Sequence, residues 1–158
     1  MPDAGRVKVQ KLLYYCQGWH LATAGEALFE EPIEAWDLGP VVPAVFRADK
    51  YRAVAGDVRE LDGAALNTVQ WVVTRYGALR AKELIALTHA ESPWKDVRAR
   101  GDASGWAAIS HDALRAWFSE SIDDQLLVES DEADRSDDPR FVGDESDDLR
   151  ARLDVLTA

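Results

Sequence analysis

The sequence predicts a mainly α fold: a compact helical domain with a minor β-hairpin, followed by an acidic, partly disordered tail. Two observations lead there. Apolar residues recur at helical spacing in segments that end at glycine or proline. All six tryptophans (Trp19, Trp36, Trp71, Trp94, Trp106, Trp117) lie within the first 117 residues, and the large apolar surfaces stop where the tail begins. A chain of 158 residues has room for one domain with a real core and hardly for two. The division is expected to fall between residues 1–122 and 123–158.

Charge divides the chain in the same way. Residues 1–118 carry 15 acids against 14 Lys/Arg, whereas residues 119–158 carry 14 acids against 4 arginines. The formal charge of -11 is therefore almost wholly that of the tail. Tight nucleic-acid binding draws on many Lys/Arg–phosphate contacts, so this balance argues against it. A basic protein surface is the natural electrostatic partner for the tail. No apolar run approaches the roughly 20 residues of a membrane span, and no apolar region after Met1-Pro2-Asp3 suggests a signal peptide. The lone Cys16 cannot form an internal disulfide and fits a reducing compartment, so a cytoplasmic protein is expected.

The first helix is expected over about Arg6 to Ala24, with Val9, Leu12, Leu13, Cys16 and Trp19 as its apolar stripe and Gly25 as its stop. Ala27–Asp37, rich in Phe, Ile and Trp and broken by Pro32, reads as a short hairpin or a pair of extended edges. Gly39-Pro40 signals a turn, and Pro43 opens a short helix reaching about Tyr51. Asp62 is placed to cap a helix with Leu66, Val69, Val73 and Tyr76 on one face, ended by Gly77. A helix at Ala81–Ala90 is stopped by Ser92-Pro93. Gly101–Gly105 reads as a loop. Ser110 caps a last body helix that turns Leu114, Trp117, Phe118 and Ile122 inward.

Beyond Asp123 the periodicity fails, and the acid-rich stretch Asp131–Pro139 reads as a solvated linker. Near 147–157 a short amphipathic helix is expected. Leu149, Leu153 and Leu156 recur at i, i+4 and i+7, Ser146 can cap, and Asp147 and Asp148 suit the first turn. So short a helix needs a surface to pack on. That surface is a partner's or the chain's own, and the alternative for the whole tail is a solubilising extension.

The search for chemistry yields structural readings. The histidines His20, His89 and His111 show no HxxxH or HExxH spacing, so no metal site is expected. His20 reads as a helix-terminus or partly buried histidine. His89 with Glu91 reads as a polar helix end in preference to an acid–base pair. Ser110-His111-Asp112 reads as a cap and first turn, because a catalytic triad is assembled from separate segments. Cys16, on an apolar stripe, reads as a small buried hydrophobe. Neither a Walker loop nor a GxGxxG or GxSxG motif occurs, so no cofactor and no catalytic residue is assigned.

The stretch Lys8–Leu21 (KVQKLLYYCQGWHL) resembles the first core helix of the Panacea, or SocA-like antitoxin, family. The resemblance continues through LFEEPIEAW at Leu28–Trp36, LGPVVP at Leu38–Pro43 and LTHAESPWK at Leu87–Lys95. It closes with Ile109–His111 and Trp117–Phe118, and so covers most of residues 6–120. It implies a mostly helical domain found in antitoxins of two-gene toxin–antitoxin systems, many of them linked to phages or phage defence. Such a domain neutralises its toxin by direct protein–protein binding and has no catalytic residues to carry over. One founding member is described as an adaptor delivering its toxin to a protease, so the alternative expectation is an adaptor for an ATP-dependent protease. A hydrolase using His89 and Glu91 is a third reading, and a DNA-binding autoregulator a fourth. Members commonly carry a helix ahead of the Lys8–Leu21 segment, whereas this chain starts almost directly at it.

Partner-binding residues are expected in two places. In the tail they are Leu149, Leu153, Leu156, Asp147 and Asp148, docking leucines on an apolar groove and acids on a basic surface. In the body they are Trp36, Asp37, Pro40 and Pro43, in the rigid aromatic Trp36–Pro43 turn, for which the alternative is core packing at a hairpin corner.

Overall fold

The computed structural model describes residues 4–50, 56–101 and 106–135. The tail residues Asp147, Asp148, Leu149, Leu153 and Leu156, with the helix expected near 147–157, lie outside the described residues. The chain divides into two units, Met1–Ser121 and Ile122–Ala158. Among the described residues there are six α-helices and one small sheet.

Helix α1 (Ala4–Ala24) is the hub of the first unit. It packs on strand β2 (Gly39–Val41) and on helices α2 (Pro43–Lys50), α3 (Gly63–Tyr76) and α4 (Ala81–Ala90). Strand β1 (Ile33–Trp36) pairs antiparallel with β2 through a two-residue turn, Asp37-Leu38, with Glu34 opposite Val41 and Trp36 opposite Gly39. Its other edge pairs antiparallel with β3 (Ala108–Ile109), giving the order β2-β1-β3. Helix α5 (Ser92–Arg100) backs β1 and β3, and α6 (His111–Arg135) follows. No described helix is long and apolar enough to cross a membrane.

Local signals set most of these boundaries. Asp62 adopts extended backbone, and its carboxylate accepts the Ala65 N–H at 2.7 Å, capping α3. Ser110 Oγ accepts the Ala113 N–H at 3.1 Å at the start of α6, which is the cap read from the sequence. Pro43 opens α2, where a missing N–H costs nothing.

Four expectations are corrected. Gly39-Pro40 lies in strand β2, and the turn is two positions earlier, at Asp37-Leu38. Ser92-Pro93 ends α4 but also starts α5, because proline fits the first turn of a helix. Strand β3 went unread because two residues carry no period. Helix α6 continues to Arg135, into the stretch expected to be linker. No Gly or Pro occurs between Trp106 and Pro139 to stop it, and Glu, Leu and Ala keep helix propensity high.

The core also rotates two helix faces. Val73, expected inward on α3, is 51% exposed, while Ala65, Thr68 and Val72 are buried. On α1, Val9 is 48% exposed, whereas Gln10, Lys11, Gln17 and His20 are buried beside Tyr14, Tyr15, Cys16 and Trp19. The centre of the core is aromatic. Phe118 meets Tyr14, Tyr15 and Trp19 edge-on, with ring centroids 5.6, 6.0 and 5.0 Å away. Gly18 makes room for it, since a Cβ there would lie 2.1 Å from the Phe118 ring.

Candidate functional site

Each buried polar side chain of α1 has a hydrogen-bond partner, which is what makes its burial tolerable. The Tyr14 and Tyr15 hydroxyls each donate at 2.8 Å to a different oxygen of Glu91, at the elbow between α4 and α5. Gln17 donates to the Phe29 carbonyl at 2.6 Å and accepts the Leu28 N–H at 2.8 Å, tying down the loop that follows α1. The His20 ring nitrogen Nδ1 lies 2.8 Å from Thr68 Oγ1. Gln10 Oε1 accepts the Val42 N–H at 2.8 Å, and Lys11 Nζ donates to the Pro40 carbonyl at 2.9 Å. Through these two bonds α1 fixes the hairpin.

The hairpin sits close. Gly39 has φ +101°, and a Cβ there would lie 2.8 Å from both Lys11 Cε and Thr88 Oγ1. Behind the turn, Arg98 donates to Asp37 at 2.6 Å, and Trp94 donates its indole N–H to the Trp36 carbonyl at 2.9 Å. His89 stacks on Trp94 with ring centroids 4.0 Å apart and planes 11° apart.

In front of the hairpin a cleft of about 520 Å³ opens. Arg6, Val7, Gln10 and Lys11 of α1 form one wall, Trp36, Asp37 and Leu38 another, and Val41, Phe46 and Trp106 complete it. Trp36 stacks on Trp106 at 5.0 Å and meets Phe46 edge-on at 5.1 Å. The rim is uncovered, with Trp106 53% and Leu38 45% exposed. A mostly apolar concavity of this size with a few polar groups is the usual form of a binding site. A second aromatic surface lies on α3. There the exposed Trp71 meets Trp19 edge-on at 4.8 Å, and the Arg75 guanidinium lies 5.3 Å from its ring centroid.

Of the body residues expected to bind a partner, Trp36 and Asp37 line the cleft. Pro40 and Pro43 are buried, and they shape the hairpin and the start of α2 from within. Sequence reasoning missed Trp106, Phe46 and Leu38. Trp106 stood in an unread stretch next to a two-residue strand, and only the spacing of Phe46 after Pro43 hinted at its place.

The residues weighed for chemistry are otherwise engaged. Glu91 faces two tyrosines and not His89; burial pushes its carboxyl up, partly offset by the tyrosine hydrogen bonds. The His89 pKa is lowered, mostly by burial and then by the charge of Lys11. Burial pushes the Cys16 thiol up to about 12, so the thiolate is scarce at neutral pH. His111 Nε2 lies 3.3 Å from Gln17 Nε2. Among the described residues no three His, Cys, Asp or Glu cluster as metal ligands.

Fold and cleft together define a small α-helical domain that holds an aromatic hairpin on a buried polar helix and presents it to solvent. The chain belongs to the family described as Antitoxin SocA-like, Panacea domain, which it matches over residues 9–95. That span runs from α1 through the hairpin to the start of α5, so it contains most of the cleft's lining. The chain is also similar to Antitoxin SocA of Caulobacter vibrioides (strain NA1000 / CB15N). The two are 34% identical over 113 residues, covering 59% of this chain and 58% of that relative. No solved structure matches.

Proposed function

We propose that this protein is a non-enzymatic antitoxin that neutralises a cognate toxin by direct binding, with the Trp36–Phe46–Trp106 cleft as the body's docking surface. Family membership supports the antitoxin role. The observation that carries the assignment of the surface is the exposed Trp106 stacked on half-buried Trp36 of a braced hairpin. Aromatic side chains held rigidly at a surface lose little entropy on binding and commonly dominate interface energetics. The acidic tail, with Leu149, Leu153 and Leu156 behind Asp147 and Asp148, supplies a second contact on a basic toxin surface.

The test is growth rescue. Expressed alone, the product of the adjacent gene should arrest growth, and this protein should restore it. Trp36→Ala with Trp106→Ala should abolish rescue while the protein still accumulates and folds. Deleting residues 136–158 should weaken rescue if the tail contributes. An adjacent gene that is harmless on its own would defeat the antitoxin reading. Undiminished rescue by the double tryptophan variant would defeat the cleft.

A further inference from the structure

Among the described residues, Lys11 is the one charge lining the cleft that has no opposite charge beside it. Its side chain is 1% exposed, and its ammonium donates to a neutral acceptor, the Pro40 carbonyl. An ammonium has three donors, and among the described residues no carboxylate forms an ion pair with this one. The other charged groups of the cleft wall are already matched, Asp37 by Arg98 at 2.6 Å and Arg6 by Asp49 at 2.9 Å. Behind Lys11 no counter-charge is supplied either among the described residues. His89 is kept neutral by burial and by the Lys11 charge, so it offers no counter-charge, and its buried Nε2 has no hydrogen-bond partner.

Desolvation without a counter-ion lowers the Lys11 pKa to about 8, which keeps it mostly charged at neutral pH. Buried charges are ordinarily paired. Beside Lys11, Gln10 spends its Oε1 on the Val42 N–H, which leaves its amide NH₂ as a second donor on the same wall. The absent Cβ of Gly39 lets the Lys11 side chain end directly beneath the turn.

We propose that the cleft is a site for a carboxylate carried on an apolar or aromatic body, with the Lys11 ammonium as counter-ion and Trp36, Phe46 and Trp106 around the body. The source of that carboxylate rests on the antitoxin reading: it is an acidic side chain of the toxin, set among apolar residues. Such an anchor matches the charge that the fold leaves unpaired and fills the aromatic surface that it leaves uncovered. A cationic or purely apolar anchor would leave Lys11 buried without compensation.

The experiment uses the full-length chain, isotope-labelled, titrated at neutral pH with phenylpropionate and separately with phenylpropionamide. The two probes share a body and differ in charge. The acid should shift the Trp36 and Trp106 indole N–H resonances and bind about tenfold more tightly than the amide. Lys11→Met should keep the amide's affinity and remove the acid's advantage. Equal affinity of acid and amide, no shift with either, or an advantage that persists in Lys11→Met would overturn the site. The comparison on the unaltered chain needs no variant, so it stands even if Lys11→Met does not fold. Growth rescue is scored separately. A preserved acid preference without rescue defeats the antitoxin reading alone, and rescue without acid preference defeats the carboxylate site alone.

Discussion

The buried face of α1 and the cleft beside it invert the usual placement of side chains. On α1, Gln10, Lys11, Gln17 and His20 are inside. At the cleft, Trp106 and Leu38 are outside. The first arrangement persists because nearly every buried polar atom has a partner, so the seam holds elements in one relative position. The second persists because the hairpin that carries Leu38, and on whose Trp36 the Trp106 ring stacks, is braced from behind. Rigid polar support and exposed aromatic surface are therefore two halves of one device, and changes to each should have separable consequences.

The largest expected effect on stability belongs to the support. Phe118→Ala removes the ring that Tyr14, Tyr15 and Trp19 share and should cost about 3–5 kcal/mol in urea unfolding. Next is Glu91→Ala, which leaves two buried tyrosine hydroxyls without their acceptor and should cost about 1–3 kcal/mol. Tyr14→Phe in the Glu91→Ala background should then cost less than Tyr14→Phe alone, as a double-mutant cycle would reveal. Smallest is Trp106→Ala. More than half exposed, it should shift stability by no more than about 1 kcal/mol, although it should weaken partner binding severely. A large loss of stability there would erase the distinction between support and surface.

Lys11 belongs to both regions, and pH separates its roles. Its folded pKa of about 8 lies below the ordinary 10.5. Between those values the unfolded chain binds more protons, so the contribution of Lys11 to stability rises with pH. Tyr14, Tyr15 and Tyr76, whose pKa values are raised by burial, act in the opposite direction at the alkaline end. The difference between the unaltered chain and Lys11→Met cancels their effect. From pH 8 to 10.5 the unaltered chain should gain urea resistance relative to Lys11→Met, and a flat difference would show that the amine is not desolvated.

The parts of this design legible in the sequence were those with local causes. Helical periods, the Asp62 and Ser110 caps and the break before Pro93 depend on neighbours within a turn, and they located α1, α3, α4 and α6. The family resemblance rested on the motifs of α1 and the hairpin, and the match over residues 9–95 agrees with it. What the sequence did not disclose depends on distant partners. A hydrophobic stripe assigns Val9 and Val73 inward, whereas the core takes Gln17 and His20, because Phe29 and Thr68 satisfy them. Of the ten residues that line the cleft, the sequence singled out Trp36 and Asp37. Trp106 was not singled out, since its place depends on strand pairing between β1 and β3, about 75 residues apart in sequence.

The most direct test of the cleft as the toxin-binding surface is the affinity of the purified protein for its toxin, measured beside its melting temperature for the unaltered chain and for Trp106→Ala. The expected result is a loss of about thirtyfold in affinity, near 2 kcal/mol, with little change in melting temperature. Unchanged affinity in a folded Trp106→Ala protein would contradict it.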